Sequence, residues 1–335
     1  MAQCCILGAG NWATAFARVL ADAGHDVTLV ARRPVIADGV NQRHHNPSYL
    51  SDIELGPTVG ATTDPVRGLA GADLVVLALP AQHLRGYLRH LATLPVWRDA
   101  TAPVLSLVKG IETGTDMRMS EVIEQVGGVP TARIAVLSGP NLAREIAERQ
   151  PSLSVVAARE AAVGELVQQW CLTPSFRAYT LDDVVGVEIA GAAKNVIALA
   201  VGMGEGLGYG HNALASLITR GLHQVAALGE AMGGRRETFA GLAGLGDLVA
   251  TCMSPLSRNR TFGERLGRGL GVEEAARESR GVAEGVATSR AVRDLARAYE
   301  VDMPIVSGVV EVLEGRTSPA ALVPVLMQRE PKPEW

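Results

Sequence analysis

The sequence predicts an α/β fold: a mostly parallel sheet domain over residues 1–183, followed by an all-helical domain over residues 184–335. Three observations predict it. Short, nearly continuous apolar runs alternate with helical segments through the first half, as in a parallel sheet covered on both faces. A glycine-rich turn links the first run to the first helix, and strand signal all but disappears after Val184. A chain of 335 residues is the right size for two domains.

The first element is the run Gln3 to Leu7, then Gly8-Ala9-Gly10-Asn11-Trp12-Ala13, then a helix over Thr14 to Ala23 that Gly24 caps, then a strand over Val27 to Ala31. This strand–turn–helix–strand context makes GxGxx[GA] a Rossmann-type dinucleotide fingerprint. Gly8 permits the tight turn, Gly10 lets backbone approach a pyrophosphate, and Ala13 keeps helix and strand close. The pyrophosphate rests on the helix N-terminus.

The second strand selects the nucleotide. NAD sites end it with a carboxylate for the ribose 2′-hydroxyl, whereas NADP sites need a cation. Here it ends Ala31-Arg32-Arg33-Pro34, which favours NADP(H), with NAD(H) as the alternative if the arginines are only solvated surface.

Further strands are expected at Asp73 to Leu79, Pro103 to Val108 and Arg133 to Leu137, with closing strands at Ser152 to Ala158 and Phe176 to Thr180. Ligands bind beyond the carboxyl ends of such strands, where Pro80, Lys109-Gly110 and Ser138-Gly139-Pro140 stand. Lys109 is a candidate to meet an anion or a substrate oxygen, ahead of the plain surface reading.

The helical half begins with Val187 to Met203, apolar over most of its circumference and so buried. Lys194 lies in its middle and Glu188 about two turns earlier. A buried ammonium is costly unless it is paired or gives up its proton. This helix alone leaves two readings open: Lys194 snorkels out along its stem, or it serves as a proton donor or acceptor in a dry cleft. Helices are also expected at Ala213 to Met232, Thr261 to Leu266, near Val272, Ser289 to Tyr299 and Ile305 to Glu314, and a glycine loop at Gly202 to Gly210. Gly241 to Asp247 follows no strand, so its expected use is to bring Asp247 close to another group. Ser257-Arg258-Asn259-Arg260 opens a helix with cap-type Ser257 and Asn259. It is either a phosphate seat or a capped helix with solvated arginines. His44-His45 reads as a surface loop and Cys252 as a small buried side chain.

A net charge of −4 argues against a polyanion-binding surface and hence against nucleic acid. Four cysteines, two of them adjacent, make neither a disulfide framework nor a metal site, and point to a reduced cytoplasmic protein. No basic leader is visible, and charges at Glu188 and Lys194 interrupt the best membrane-spanning candidate.

Taken together, GAGNWATA at Gly8, VKG at Val108, SGPNLARE at Ser138, GAAKNVIA at Gly191, ITRGL at Ile218, GLAGLGDL at Gly241, SRNRTFG at Ser257 and VAEG at Val282 resemble the bacterial NAD(P)-dependent glycerol-3-phosphate dehydrogenases. The likeness runs from Cys4 to about Leu326, and GAAKNV and SRNR are its most specific parts. It implies reversible reduction of dihydroxyacetone phosphate to sn-glycerol 3-phosphate, supplying glycerophospholipid backbones in the cytoplasm, by a homodimer. It implies Lys194 as general acid/base. Cofactor contacts are implied for Asn11, Trp12, Arg32, Arg33, Lys109, Ala143, Arg258, Val282 and Glu284. Substrate contacts are implied for Lys109, Gly139, Asn141, Lys194, Asp247, Ser257, Arg258 and Asn259. The first turn departs from the family's common GSWGTA at Asn11 and Ala13, and Asn141 stands where the family often has Thr. Two other readings share the architecture: a ketopantoate or hydroxyacid reductase, and a non-catalytic NADP(H) sensor.

Overall fold

The computed structural model describes residues 1–279, 283–331, 333 and 334. The chain opens with β1 (Gln3–Leu7), α1 (Asn11–Asp22), β2 (Asp26–Val30), α2 (Pro34–Arg43), β3 (Val59–Thr62), α3 (Pro65–Leu69) and β4 (Leu74–Leu77). It continues with α4 (Ala81–Leu91), α5 (Pro95–Arg98), β5 (Val104–Ser106), α6 (Met119–Gly127), β6 (Ile134–Ser138), α7 (Ala143–Ala147), β7 (Ser152–Ala158), α8 (Ala161–Trp170) and β8 (Phe176–Leu181). The eight strands form one sheet in the order β3-β2-β1-β4-β5-β6-β7-β8. Every neighbouring pair is parallel except β6 with β7.

Successive residues on a strand face opposite ways, which is why these strands read as unbroken apolar runs. Cys4 and Ile6 of β1 join the core under α1, with Phe16 and Leu20, while Cys5 and Leu7 join the core under α4 and α6, with Leu84, Leu88 and Ile123. The chain reverses direction across the sheet between β1 and β4, so a crevice opens at their carboxyl ends. Edge strand β3 was not expected. Its Val-Gly-Ala-Thr sequence carries no apolar run, and pairing with β2 from Val27 to Val30 imposes the extended form.

Past β8 come α9 (Val184–Gly206), α10 (His211–Ala231), α11 (Arg236–Ala240), a π-turn (Leu242–Gly246), α12 (Asp247–Met253), α13 (Arg258–Gly267), α14 (Val272–Glu278), α15 (Glu284–Ala298), α16 (Pro304–Leu313) and α17 (Pro319–Met327). Among the described residues no strand follows Leu181. Asp183 caps α9 by accepting from Gly186 N at 2.8 Å. Every residue of α9 from Gly186 to Gly204 is buried, wrapped by α10, α12, α13, α15 and α16. The helix is long and apolar enough to cross a membrane, but 89% of that window is buried inside the fold.

The expected glycine loop at Gly202 to Gly210 is corrected: the helix continues through Gly206. Its glycines serve contact with α13. A Cβ on Gly202 would lie 2.0 Å from the Arg260 carbonyl oxygen, and one on Gly206 would lie 2.2 Å from that of Glu264. Gly263 and Gly267 of α13 answer them, at 2.1 Å from Leu199 O and 2.2 Å from Met203 O. Tertiary packing overrides glycine's poor helix propensity here.

Candidate active site

The glycine turn lies at the carboxyl end of β1. Gly8 has φ +129°, and a Cβ there would meet the Ala78 carbonyl oxygen at 2.4 Å, so only glycine closes this turn against β4. Around Gly10 the situation is reversed: a Cβ would meet nothing within 4 Å. Gly10 precedes α1 with no side-chain cap, and the first turn holds no acidic residue. These features fit a dinucleotide pyrophosphate, because the leading amides and the positive end of the helix dipole face open space. Trp12 Nε1 is buried without a partner among the described residues, a donor free for a ligand. Asn11 is exposed at the helix start. Arg32 and Arg33 are exposed at the end of β2, with the Arg33 guanidinium 6.0 Å from the Tyr49 ring centroid.

Lys109 follows β5 and Lys194 lies in the middle of α9. Neither snorkels to solvent. Lys194 is 8% exposed, and its Nζ donates to Asp247 Oδ1 at 2.6 Å and to Thr251 Oγ1 at 2.7 Å. Lys109 Nζ donates to the other oxygen of the same carboxylate, Asp247 Oδ2, at 2.6 Å, and to the Gly139 carbonyl at 2.9 Å. The π-turn delivers Asp247 into this gap, where it is 1% exposed. Burial pushes the Lys109 ammonium down, to about 8, aided by the charge of Lys194 and opposed by Asp247. Burial pushes the Asp247 carboxyl up, but the two ammoniums outweigh it and hold it below the ordinary carboxylate range. An ammonium has three N–H donors, and each lysine spends two in these contacts.

The remaining predicted residues have the following surroundings. Asn141 Oδ1 accepts from Ser154 Oγ at 2.5 Å, while its Nδ2 is buried without a partner among the described residues. Ser257 caps α13 by accepting from Arg260 N at 3.2 Å. Asn259, expected as a cap, lies inside the helix instead: its Nδ2 donates to Asn195 Oδ1 at 2.8 Å and its Oδ1 accepts from Gly285 N at 3.0 Å. It thereby ties α13 to the residue after Lys194 and to the start of α15. Arg258 is exposed at the first position of α13. Burial pushes the neighbouring Glu284 carboxyl up, against the pull of Arg258, Lys194 and Lys109. Ala143 opens α7, half-buried against the core under α1. Val282 lies outside the described residues.

Both halves of this arrangement match one family. Residues 3–163 match the model for the NAD-dependent glycerol-3-phosphate dehydrogenase N-terminus, and residues 183–324 that for its C-terminus. The chain belongs to this family. It is 52% identical to the glycerol-3-phosphate dehydrogenase [NAD(P)+] of Thermobifida fusca, over 100% of this chain and 99% of that one. Its relative from Parafrankia, of the same name, is 55% identical over 100% and 99%. The crystal structure of glycerol-3-phosphate dehydrogenase from Coxiella burnetii superposes with a TM-score of 0.92 at 34% identity, over 98% of this chain and 99% of that one. A ketopantoate reductase from Ralstonia eutropha reaches 0.58 at 16% identity, over 95% and 99%, a likeness of fold alone. The enzyme is therefore an oxidoreductase that uses a nicotinamide cofactor.

Sequence reasoning missed several residues around its site. Thr251 is one helical turn after Asp247, and that spacing within one short helix was the available signal. Asn46 is fully buried, with its Nδ2 donating to Ala9 O at 3.0 Å and Thr14 Oγ1 at 2.8 Å, so it braces the glycine turn. The adjacent His44 and His45, expected at the surface, are half-buried. Arg118 and Ser120 hold Glu188, a contact between distant segments with no local signal.

Proposed function

We propose that the enzyme interconverts dihydroxyacetone phosphate and sn-glycerol 3-phosphate, with Lys194 as general acid/base. The observation that carries this reading is the buried Lys194 ammonium, with one N–H left over after Asp247 and Thr251. When bound, the reduced nicotinamide supplies the hydride to C2 of the substrate. The carbonyl oxygen then gains negative charge, which the Lys194 ammonium stabilises and to which it gives its Nζ proton. In the reverse direction neutral Lys194 takes the proton back. Asp247 fixes Lys194 in place, and Lys109 adds a second cation beside the developing charge. The N-terminus of α13, with Ser257, Arg258 and Asn259, holds the phosphate, so binding energy from a non-reacting group positions the carbonyl. Gly139 and Asn141 border the substrate, and the unpartnered Asn141 Nδ2 supports that role.

On the cofactor side Gly8, Gly10, Asn11 and Trp12 would hold the pyrophosphate, and Ala143, Arg258 and Glu284 would flank the nucleotide. Arg32 and Arg33 favour NADPH, since no carboxylate stands at the end of β2. A cytoplasmic setting, a supply role in glycerophospholipid synthesis and homodimer assembly belong to the same proposal. Four buried free cysteines support the reducing compartment.

The test follows reduced-nicotinamide absorbance with dihydroxyacetone phosphate and with free dihydroxyacetone. Turnover restricted to the phosphate ester is expected, and Lys194→Met is expected to lose turnover while still binding NADPH. A variant that keeps parental turnover would remove Lys194 from the chemistry. Binding without turnover in the parent would instead favour a sensor.

A further inference from the structure

Glu188 is 5% exposed and belongs to the same helix as Lys194, six residues earlier and so about 9 Å along the axis. Its carboxylate accepts three hydrogen bonds from α6 and the residue preceding it: Ser120 N at 2.7 Å, Ser120 Oγ at 2.6 Å and Arg118 Nη1 at 2.7 Å. Glu188 thus caps a helix of the sheet half from within a helix of the other half, where a carboxylate meets the positive end of the dipole. Arg118 is shared with Glu121, whose Oε2 accepts from Arg118 N and whose Oε1 accepts from Arg118 Nη2, both at 2.8 Å.

The segment that ends at Arg118 begins just after β5, with Lys109. Residues 107–118 are pinned to α4 and braced by one contact of their own. Arg85 Nε donates to both oxygens of Glu112 at 2.9 Å, Thr115 Oγ1 donates to Glu112 at 2.5 Å, and Gln82 bridges Ile111 O and Thr113 N. Three successive turns of α9 touch this segment or its partners. Glu188 grips its far end. Gly191 packs beside its lysine stem: a Cβ there would touch Lys109 Cγ and Cδ at an ordinary 3.7 Å, and only Ser138 Oγ, at 2.9 Å, would be crowded. Lys194 meets its near end through the shared Asp247.

We propose that Glu188 is a positioning residue: by clamping Arg118 and Ser120 it sets the seating of the Lys109 segment on α9, and through it the geometry in which Lys109 and Lys194 share Asp247. The inference rests on the reading of Lys194 and Lys109 given above. Loss of the clamp lets one end of a stiff segment move, and a misplacement of about 1 Å remote from the chemistry costs on the order of 100-fold in rate.

Three variants test it: Glu188→Gln, which keeps shape but loses charge; Ser120→Ala, which removes one of the three hydrogen bonds; and Arg118→Lys, which keeps charge. Each is measured for NADPH affinity, thermal midpoint, and kcat and KM for dihydroxyacetone phosphate well below that midpoint. The expected result is a kcat lowered about tenfold or more in Glu188→Gln, several-fold in Ser120→Ala and less than in Glu188→Gln in Arg118→Lys, with NADPH affinity within about twofold of the parent. A purely structural contact would lower the midpoint and leave kcat of the folded enzyme alone, and that outcome overturns the proposal. If Glu188→Gln is insoluble, Ser120→Ala decides by the same criterion. Lys194→Met, run in parallel, separates the two ideas: its loss of turnover beside unaltered clamp variants sinks only the clamp, whereas its retention of turnover sinks the acid/base reading and the clamp with it.

Discussion

Lys109 and Lys194 hold a single carboxylate between them, each with its Nζ 2.6 Å from a different oxygen of Asp247. Two buried cations around one anion leave a net positive charge on this cluster, which suits a phosphorylated substrate whose carbonyl oxygen turns anionic. The arrangement also makes Asp247 indispensable to both lysines. Replacement by asparagine keeps the shape but leaves two ammoniums facing a neutral amide. Removing one partner of a buried ion pair costs about 3–5 kcal/mol, so Asp247→Asn is expected to be less stable by that order in a denaturant titration. Its kcat is expected to fall on the order of 100-fold as both lysines lose their alignment. Wild-type turnover in this variant would show that the carboxylate orients nothing.

Deprotonation of Lys109 near pH 8 gives activity and stability opposite slopes. Below about 8 the folded enzyme carries a second cation at Asp247 beside Lys194; above it that charge is lost, so under the proposed mechanism kcat/KM for dihydroxyacetone phosphate is expected to decline. Between about 8 and the ordinary 10.5 the folded state binds fewer protons than the unfolded chain, so the Lys109 contribution to stability rises with pH across that window. Lys109→Arg keeps the charge to far higher pH and is expected to move the activity limb upward. An alkaline limb that stays in place in this variant assigns it to another group.

Arg32 and Arg33 differ in their surroundings, which separates their contributions to nucleotide choice. Arg33 lies by the Tyr49 ring, whereas no partner for exposed Arg32 is found among the described residues. A hydrogen bond to a charged group contributes about 1.5–3 kcal/mol. Arg32→Ser is therefore expected to weaken NADPH binding about 10- to 100-fold and to leave NADH nearly unaffected, as read by fluorescence titration with each nucleotide. Equal losses for both would place Arg32 away from the 2′-phosphate.

What was legible in the sequence depended on how local its cause is. The turn from Gly8 to Ala13 declares itself, because a tight turn, a close backbone approach and a helix start are consecutive demands on consecutive residues. Asp247 was legible as a residue delivered somewhere by a glycine-rich run, but its destination was not, since Lys109 and Lys194 approach it from distant parts of the chain. The Glu188 contacts with Arg118 and Ser120 are invisible for the same reason. Gly202 to Gly206 misled in the opposite direction: local propensity reads as a loop, and only the facing glycines of α13 explain why it is helix.

That glycine contact yields the sharpest packing prediction, because one substitution has opposite signs at two sites. A Cβ on Gly263 would lie 2.1 Å from the Leu199 carbonyl oxygen, and backbone on either side has no flexible end to yield. Gly263→Ala must push α13 away from α9, at a cost of about 1–3 kcal/mol or more. Since α13 carries Ser257, Arg258 and Asn259 at its start, KM for dihydroxyacetone phosphate is expected to rise as well. Gly86 is exposed in the middle of α4, and a Cβ there would meet nothing within 4 Å. Gly86→Ala is expected to stabilise by about 0.5–1 kcal/mol, because alanine loses less backbone entropy in a helix. Thermal melts of the two variants beside the parent check both signs. A Gly263→Ala enzyme as stable as the parent would mean that the two helices have room to separate, and that this contact does not set the phosphate seat proposed at α13.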